Sequence, residues 1–195
     1  MKAVVAIPKK RQWRSTRPMH PDLDEWLPDP QVRTCHRLSA EADAGRLWHA
    51  AETVRLRDAP TLGRAVRWRI PGTSSDLLFR DLFRQYPFTV IDEGARWSVS
   101  GMCGRIWTLR RDYPRIEGAE DFLAWDQRGT VRVLLAHWIE PEGPERNALV
   151  SEARIKPVNG QASLRLRALW AVVGHLERLI GGEVLRVAAR RAARA

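Results

Sequence analysis

His137, Ser151 and Arg105 are polar side chains set among apolar neighbours in strand-like stretches. A histidine so placed can hold a hydrogen bond or move a proton near neutral pH. An arginine there can clamp a carboxylate through its forked guanidinium. A serine supplies one small polar contact. Each residue also has a plain structural reading: a satisfied rim histidine, a surface ion-pair arginine, a small inward serine. His175, beside Gly174, has the same two readings.

The patterns of standard chemistries are missing. No GxGxxG, P-loop, GxSxG or HExxH stretch occurs. His20, His36, His49, His137 and His175 keep no metal-ligand spacing. Cys35 and Cys103 lie far apart and read as reduced thiols. The acids of Glu41/Asp43, Glu117/Glu120/Asp121 and Glu140/Glu142/Glu145 fall in loops or helix starts, where they are solvated. No metal, cofactor or catalytic residue is therefore assigned.

Successive strand side chains point to opposite faces, so alternation sorts the strand residues. In TVRVLLAHWI one face carries Val131, Val133, Leu135, His137 and Ile139. In ALVSEARI one face carries Leu149, Ser151, Ala153 and Ile155, and the other holds Glu152 and Arg154. In RWSVSGMCGRIW, Trp97, Val99, Gly101, Cys103, Arg105 and Trp107 share a face, with Gly101 or Gly104 as possible bulge sites. Faces with little charge are read as inner. They predict an apolar, aromatic wall of Trp97, Val99, Cys103, Arg105, Trp107, Val133, Leu135, His137, Ser151 and Ala153. A wall with few polar atoms is the usual lining of a small-molecule pocket.

Other elements must hold that wall in place. VRTCHRLS reads as a first strand. AEADAGRLWHAAETVRL and RDAPTLGRAVRWRIPG read as short helices, and SSDLLFRDLFRQYP has helical spacing at Leu78, Leu82 and Phe83. Four strands follow, then one long helix from Leu164. Its stripe supplies Leu169, Val173 and Leu176 as further lining candidates, and Gly174 and Gly181-Gly182 mark a bend, or a place where the sheet or a ligand comes close. An antiparallel sheet with helices gathered on one face gives an α+β layer.

The net charge is +10, and the 44% hydrophobic content suffices for a core. Residues 1–20 carry six cations and residues 184–195 carry four, with no acid in either stretch. The body between them is neutral, so no specific nucleic-acid groove is expected. No apolar run of membrane-spanning length occurs, and a cytoplasmic location is expected. Residues 1–30 read as a basic, Pro-rich extension, anchored at most by Trp26-Leu27, and 31–195 as one domain.

The segments ADAGRLWHAAETVRLRDAP, WDQRGTVRVLLAHWIEPEGPERNALVSEARIKP and LRALWAVVGHLERLIGGEVLRVAARRA, in this order, resemble the START/Bet v 1-like (SRPBCC, helix-grip) superfamily, in particular its small bacterial members. The closing helix of such members carries an aromatic-Trp pair and then an "IRR-L" segment. Here Leu169-Trp170 and Leu179-Ile180-Gly181-Gly182 occupy those places, with glycines for the arginines. The resemblance implies a curved antiparallel sheet wrapped around a long C-terminal helix, with two or three short helices after the first strand. It implies a cavity between sheet and helix that binds a hydrophobic small molecule, lipid- or polyketide-like. A polyketide cyclase- or hydrolase-like enzyme using that cavity, through His137 or Arg105, is an alternative. A module docking on nucleic acid or an anionic membrane through its basic ends is another. Ligand and oligomeric state stay open.

Overall fold

The computed structural model describes residues 20–108, 110 and 113–194. The elements are α1 (Leu23–Trp26), β1 (Val32–Ala40), α2 (Ala44–Glu52), α3 (Pro60–Arg69), β2 (Thr89–Gly94), β3 (Trp97–Gly104), α4 (Ala119–Ala124), β4 (Val131–Pro141), β5 (Asn147–Pro157), α5 (Gly160–Ile180) and α6 (Glu183–Ala192). Two 3-10 turns, Leu56–Asp58 and Phe79–Phe83, flank α3. The second stands where the spacing of Leu78, Leu82 and Phe83 suggests a longer helix.

Local chemistry sets several boundaries. The Asp43 carboxylate accepts hydrogen bonds from the backbone N–H of Gly45 and Arg46 and so starts α2. Asn159 caps α5 by accepting from the Ala162 N–H. Pro60 opens α3, where its missing N–H costs nothing. Gly104, at φ +145°, ends β3 in a conformation that side chains rarely adopt.

The five strands form one antiparallel sheet in the order β1-β5-β4-β3-β2. The last strand thus lies between the first and the rest, and the chain closes with α5 and α6. This is the α+β helix-grip architecture.

Helices cover both faces of the sheet, not one. On the inner face, Ile139 and Leu149 pack with Leu47 and Ala50 of α2 and with Val184, Leu185, Val187 and Ala188 of α6. At the other end of that face, Val32, Met102, Val131, Val133 and Ile155 pack around Leu166 of α5. On the outer face, Trp97, Val99, Cys103, Leu134, Ala136, Trp138 and Val150 are buried beneath Leu23, Trp26 and Leu27 at α1 and Phe122 of α4. Full burial of side chains this size contributes about 2 kcal/mol each. Gly101 is required here, because a Cβ on it would lie 2.7 Å from the Phe122 ring. Residues 20–30 of the expected extension are therefore packed on the sheet. Residues 1–19, with their six cations, lie outside the described residues.

Three predicted wall residues are corrected by this arrangement. In the register, Trp97 faces Trp138, Val99 faces Ala136 and Cys103 faces Arg132. All three side chains point outward. Both faces of β3 are free of charge, so absence of charge does not identify the inner one. Burial pushes the Cys103 thiol up to about 12, which leaves it inert at neutral pH.

Candidate functional site

The strand register gathers polar residues into the middle of the inner face. Ser98 of β3 pairs with His137 of β4, His137 with Ser151 of β5, and Ser151 with His36 of β1. These four form one row across the sheet. The next row runs Ser100, Leu135, Ala153 and Thr34. On either side the rows are apolar and buried, through Ile139 and Leu149 at one end and Met102, Val133, Ile155 and Val32 at the other. In the middle, His36, Thr34, Leu135, His137, Ser151 and Ala153 keep part of their surface accessible. The ends of the inner face are filled by α6 and Leu166, and its centre is not.

The predicted residues His137, Leu135, Ser151 and Ala153 lie in this central band, and Val133 lies at its edge. Leu169 and Val173 of α5 are half-buried. Leu176 is a correction. It is 45% exposed, because Glu177 takes the sheet-facing place and bonds to His36 Nε2 at 2.7 Å. Arg105 is a second correction. It follows the break at Gly104 and is exposed outside the strand. Trp107, beyond the same break, packs half-buried against the cluster around Leu166. His175 is exposed on α5.

Gly181 explains why the closing helix carries glycine at the bend. Its backbone passes directly over His36, and a Cβ there would collide with His36 Nε2. A Cβ at Gly182 would meet the Arg186 side chain at 3.6 Å and His36 Nδ1 at 3.9 Å, both ordinary contacts. Gly181→Ala is therefore expected to lower stability by about 2 kcal/mol despite the gain in helix propensity. Gly182→Ala is expected to be neutral or slightly stabilising. Urea denaturation of both variants checks the contrast, and equal effects would contradict the close approach.

Around His137 the site has a built form. A pocket of about 40 Å³, room for a few waters, is lined by Trp48, Phe79, Phe83, Ser98, His137 and Leu149, among others. The Phe79 and Phe83 rings each lie 5.3 Å from the imidazole. His137 Nε2 is buried and makes no hydrogen bond. Burial alone pulls its pKa down to about 4, so the ring is neutral at physiological pH. Thr34 Oγ1, in the neighbouring row, is likewise buried without a hydrogen bond. Unpartnered buried polar atoms are rare in folded proteins, and a ligand or a water can supply the missing bond.

Sequence reasoning missed His36, Ser98, Trp48, Phe79 and Phe83. His36 was open to the same alternation that finds His137, since Thr34, His36 and Leu38 share the face of VRTCHRLS opposite Arg33 and Arg37. The aromatics come from helical segments, where nothing local signals a contact with β4.

The basic C-terminal stretch is part of the fold. α6 buries five residues, and Arg191 pairs with Asp58 at 2.8 Å. No helix among the described residues is long and apolar enough to cross a membrane. Among those residues no cluster of His, Cys, Asp or Glu could hold a metal ion.

No family model matches the chain, and no curated protein matches it in sequence. Solved structures similar to it include a norcoclaurine synthase of Thalictrum flavum, 14% identical over 82% of this chain and 94% of that one, at TM-score 0.38. A hypothetical protein of Helicobacter pylori is 8% identical over 92% and 99%, at TM-score 0.42. The Zhui aromatase/cyclase of Streptomyces sp. R1128 is 16% identical over 82% and 94%, at TM-score 0.35. With identities of at most 16% and TM-scores of at most 0.42, these likenesses carry no weight for function. The helix-grip architecture is read from this chain's own strand order and helices.

Proposed function

We propose that the chain binds an apolar small molecule between the inner face of the sheet and the C-terminal helices α5 and α6. One observation supports this above the others: the centre of the inner face is lined by small and polar side chains and stays partly accessible, between two filled ends. A domain that used this face only for stability would fill it with large apolar residues. Native mass spectrometry of gently purified protein should show a retained small molecule. N-phenyl-1-naphthylamine should bind saturably at one site, and Ala153→Phe, which fills the centre, should abolish that binding. A bare mass together with no saturable binding would refute the reading.

A catalytic use of the same space has one observation in its favour. The Glu177 carboxylate holds the His36 imidazole at 2.7 Å, as a carboxylate does when it orients a general base. His36→Gln would then abolish turnover of a bound ligand while leaving its affinity intact. Equal loss of both would speak for a structural pair.

A further inference from the structure

We propose that the pocket at His137 takes an uncharged aromatic compound bearing a hydroxyl group, with the Phe79–Phe83 turn as its lid. This rests on the reading of the chain as a binder of an apolar small molecule, and it names the class of that molecule.

The walls call for an aromatic ring. Trp48, Phe79 and Phe83 line it together with Leu149, Val184 and Leu185. Phe79 and Phe83 already meet edge to face at 4.9 Å, and Phe83 meets Phe88 in the same way at 5.4 Å. Such rings favour a further ring in edge-to-face contact.

The charges call for a neutral ligand. Arg80 and Arg84 stand at the mouth, but each is engaged. Arg80 bonds to Glu52 at 3.1 Å and lies 3.5 Å from Asp81, and Arg84 bonds to Glu93 at 2.6 Å. An anionic ligand would have to break these pairs, and a cationic one would meet two guanidinium groups. Inside, the polar groups are Ser98 and the neutral His137, neighbours in the register. A hydroxyl can both donate and accept, so it satisfies His137 Nε2 in either tautomer. A carbonyl or an ether satisfies only one.

The lid follows from how the turn is held. None of Phe79–Phe83 is fully buried. The turn is tied by the Phe79 N–H to the Val54 carbonyl and by the exposed Arg80 and Arg84 ion pairs. Exposed pairs add little. Closed, the turn covers His137 while Nε2 lacks a partner, and the pocket of about 40 Å³ is too small for a ring. Lifting the turn enlarges the pocket, and a hydroxyl then supplies the missing bond.

Titration of the full chain with 1-naphthol, naphthalene and 1-naphthoate tests this. Naphthol should bind about tenfold more tightly than either of the others, the worth of one well-placed buried hydrogen bond. His137→Phe should lower naphthol to the level of naphthalene. Equal binding of naphthol and naphthalene would overturn the hydroxyl anchor and leave the binding of an apolar small molecule intact. Tighter binding of naphthoate would overturn the neutral class. If none of the three binds while N-phenyl-1-naphthylamine does, the site is wrong; if that probe fails too, this proposal falls, and with a bare mass the binding reading falls with it. Should His137→Phe not fold, nitrogen NMR of the wild-type imidazole decides. Nε2 should shift with naphthol and not with naphthalene, and an unmoved resonance overturns the anchor.

Discussion

Glu152→Ala is expected to cost about 3 kcal/mol of stability. Glu152 points to the outer face of β5 and is 3% exposed. Its carboxylate accepts from Arg33 Nε at 2.9 Å and Nη2 at 3.0 Å, and from Arg154 Nε at 2.6 Å. Arg154 is itself 7% exposed, and its Nη1 also bonds to Asp24 and to the Leu27 carbonyl. Alanine would leave a buried guanidinium whose remaining anionic partner, Asp24, is 73% exposed. A buried charge without its partner is costly, whereas an apolar pair of similar volume is nearly neutral. Glu152→Leu with Arg154→Met should therefore recover most of the loss. Because Arg154 ties α1 to the sheet, Glu152→Ala should also speed proteolysis within residues 20–30. Urea denaturation of the single and double variants decides. A loss below about 1 kcal/mol, typical of exposed pairs, would mean that the network is hydrated.

That same outer face shows where reading the sequence stops. Alternation assigned β4 and β5 because Arg132, Glu152 and Arg154 mark one face of each. The face so marked is nevertheless largely buried, since Leu23, Trp26, Leu27 and Phe122 cover it, Glu152 and Arg154 pair with each other, and Arg132 lies 5.9 Å from the Phe122 ring. On β3 no charge breaks the tie between Trp97/Val99/Cys103 and Ser98/Ser100/Met102. The larger apolar set looked inward, and the register with β4 puts it outward. His137 and Ser151 were legible because a polar residue in an apolar alternation stands out. Their union with Ser98 and His36 depends on strand register, a non-local quantity that no short segment specifies. Phe79 and Phe83 reach His137 only through the path of the chain after α3. The bend at Gly181-Gly182, or a close approach of the sheet there, was open in the glycines themselves; that His36 is the residue beneath the backbone was not.

Acid should destabilise the protein through His137 before it does so through the carboxylates. His137 has an ordinary value near 6.5, and burial pulls it down to about 4 in the folded state. The unfolded chain therefore binds a proton that the folded chain refuses. Above pH 6.5 both states are neutral there and no penalty exists. As pH falls, the unfolded state gains, until the folded ring also protonates near pH 4. Near pH 4.5 the loss amounts to about 2.5 kcal/mol. Asp24, Asp43, Asp58 and Glu142 are held below their ordinary values by hydrogen bonds and nearby arginines. Their stabilisation is present above those ordinary values, 3.8 for Asp and 4.5 for Glu, and is lost below them. The interval from pH 6.5 down to 4.5 thus belongs mainly to His137. Ser98, Ser151, Phe79, Phe83 and Trp48 surround it, and Glu52 is the acid lining the same pocket. His137→Leu removes the titrating group and an unpartnered nitrogen, so near pH 7.5 it should be neutral or slightly stabilising. The stability of the wild type relative to His137→Leu should then fall by about 2.5 kcal/mol between pH 7.5 and 4.5. Urea denaturation of both proteins at the two pH values measures the difference. A constant difference would show that His137 stays hydrated beneath the turn, and its pKa would then lie near the ordinary histidine value.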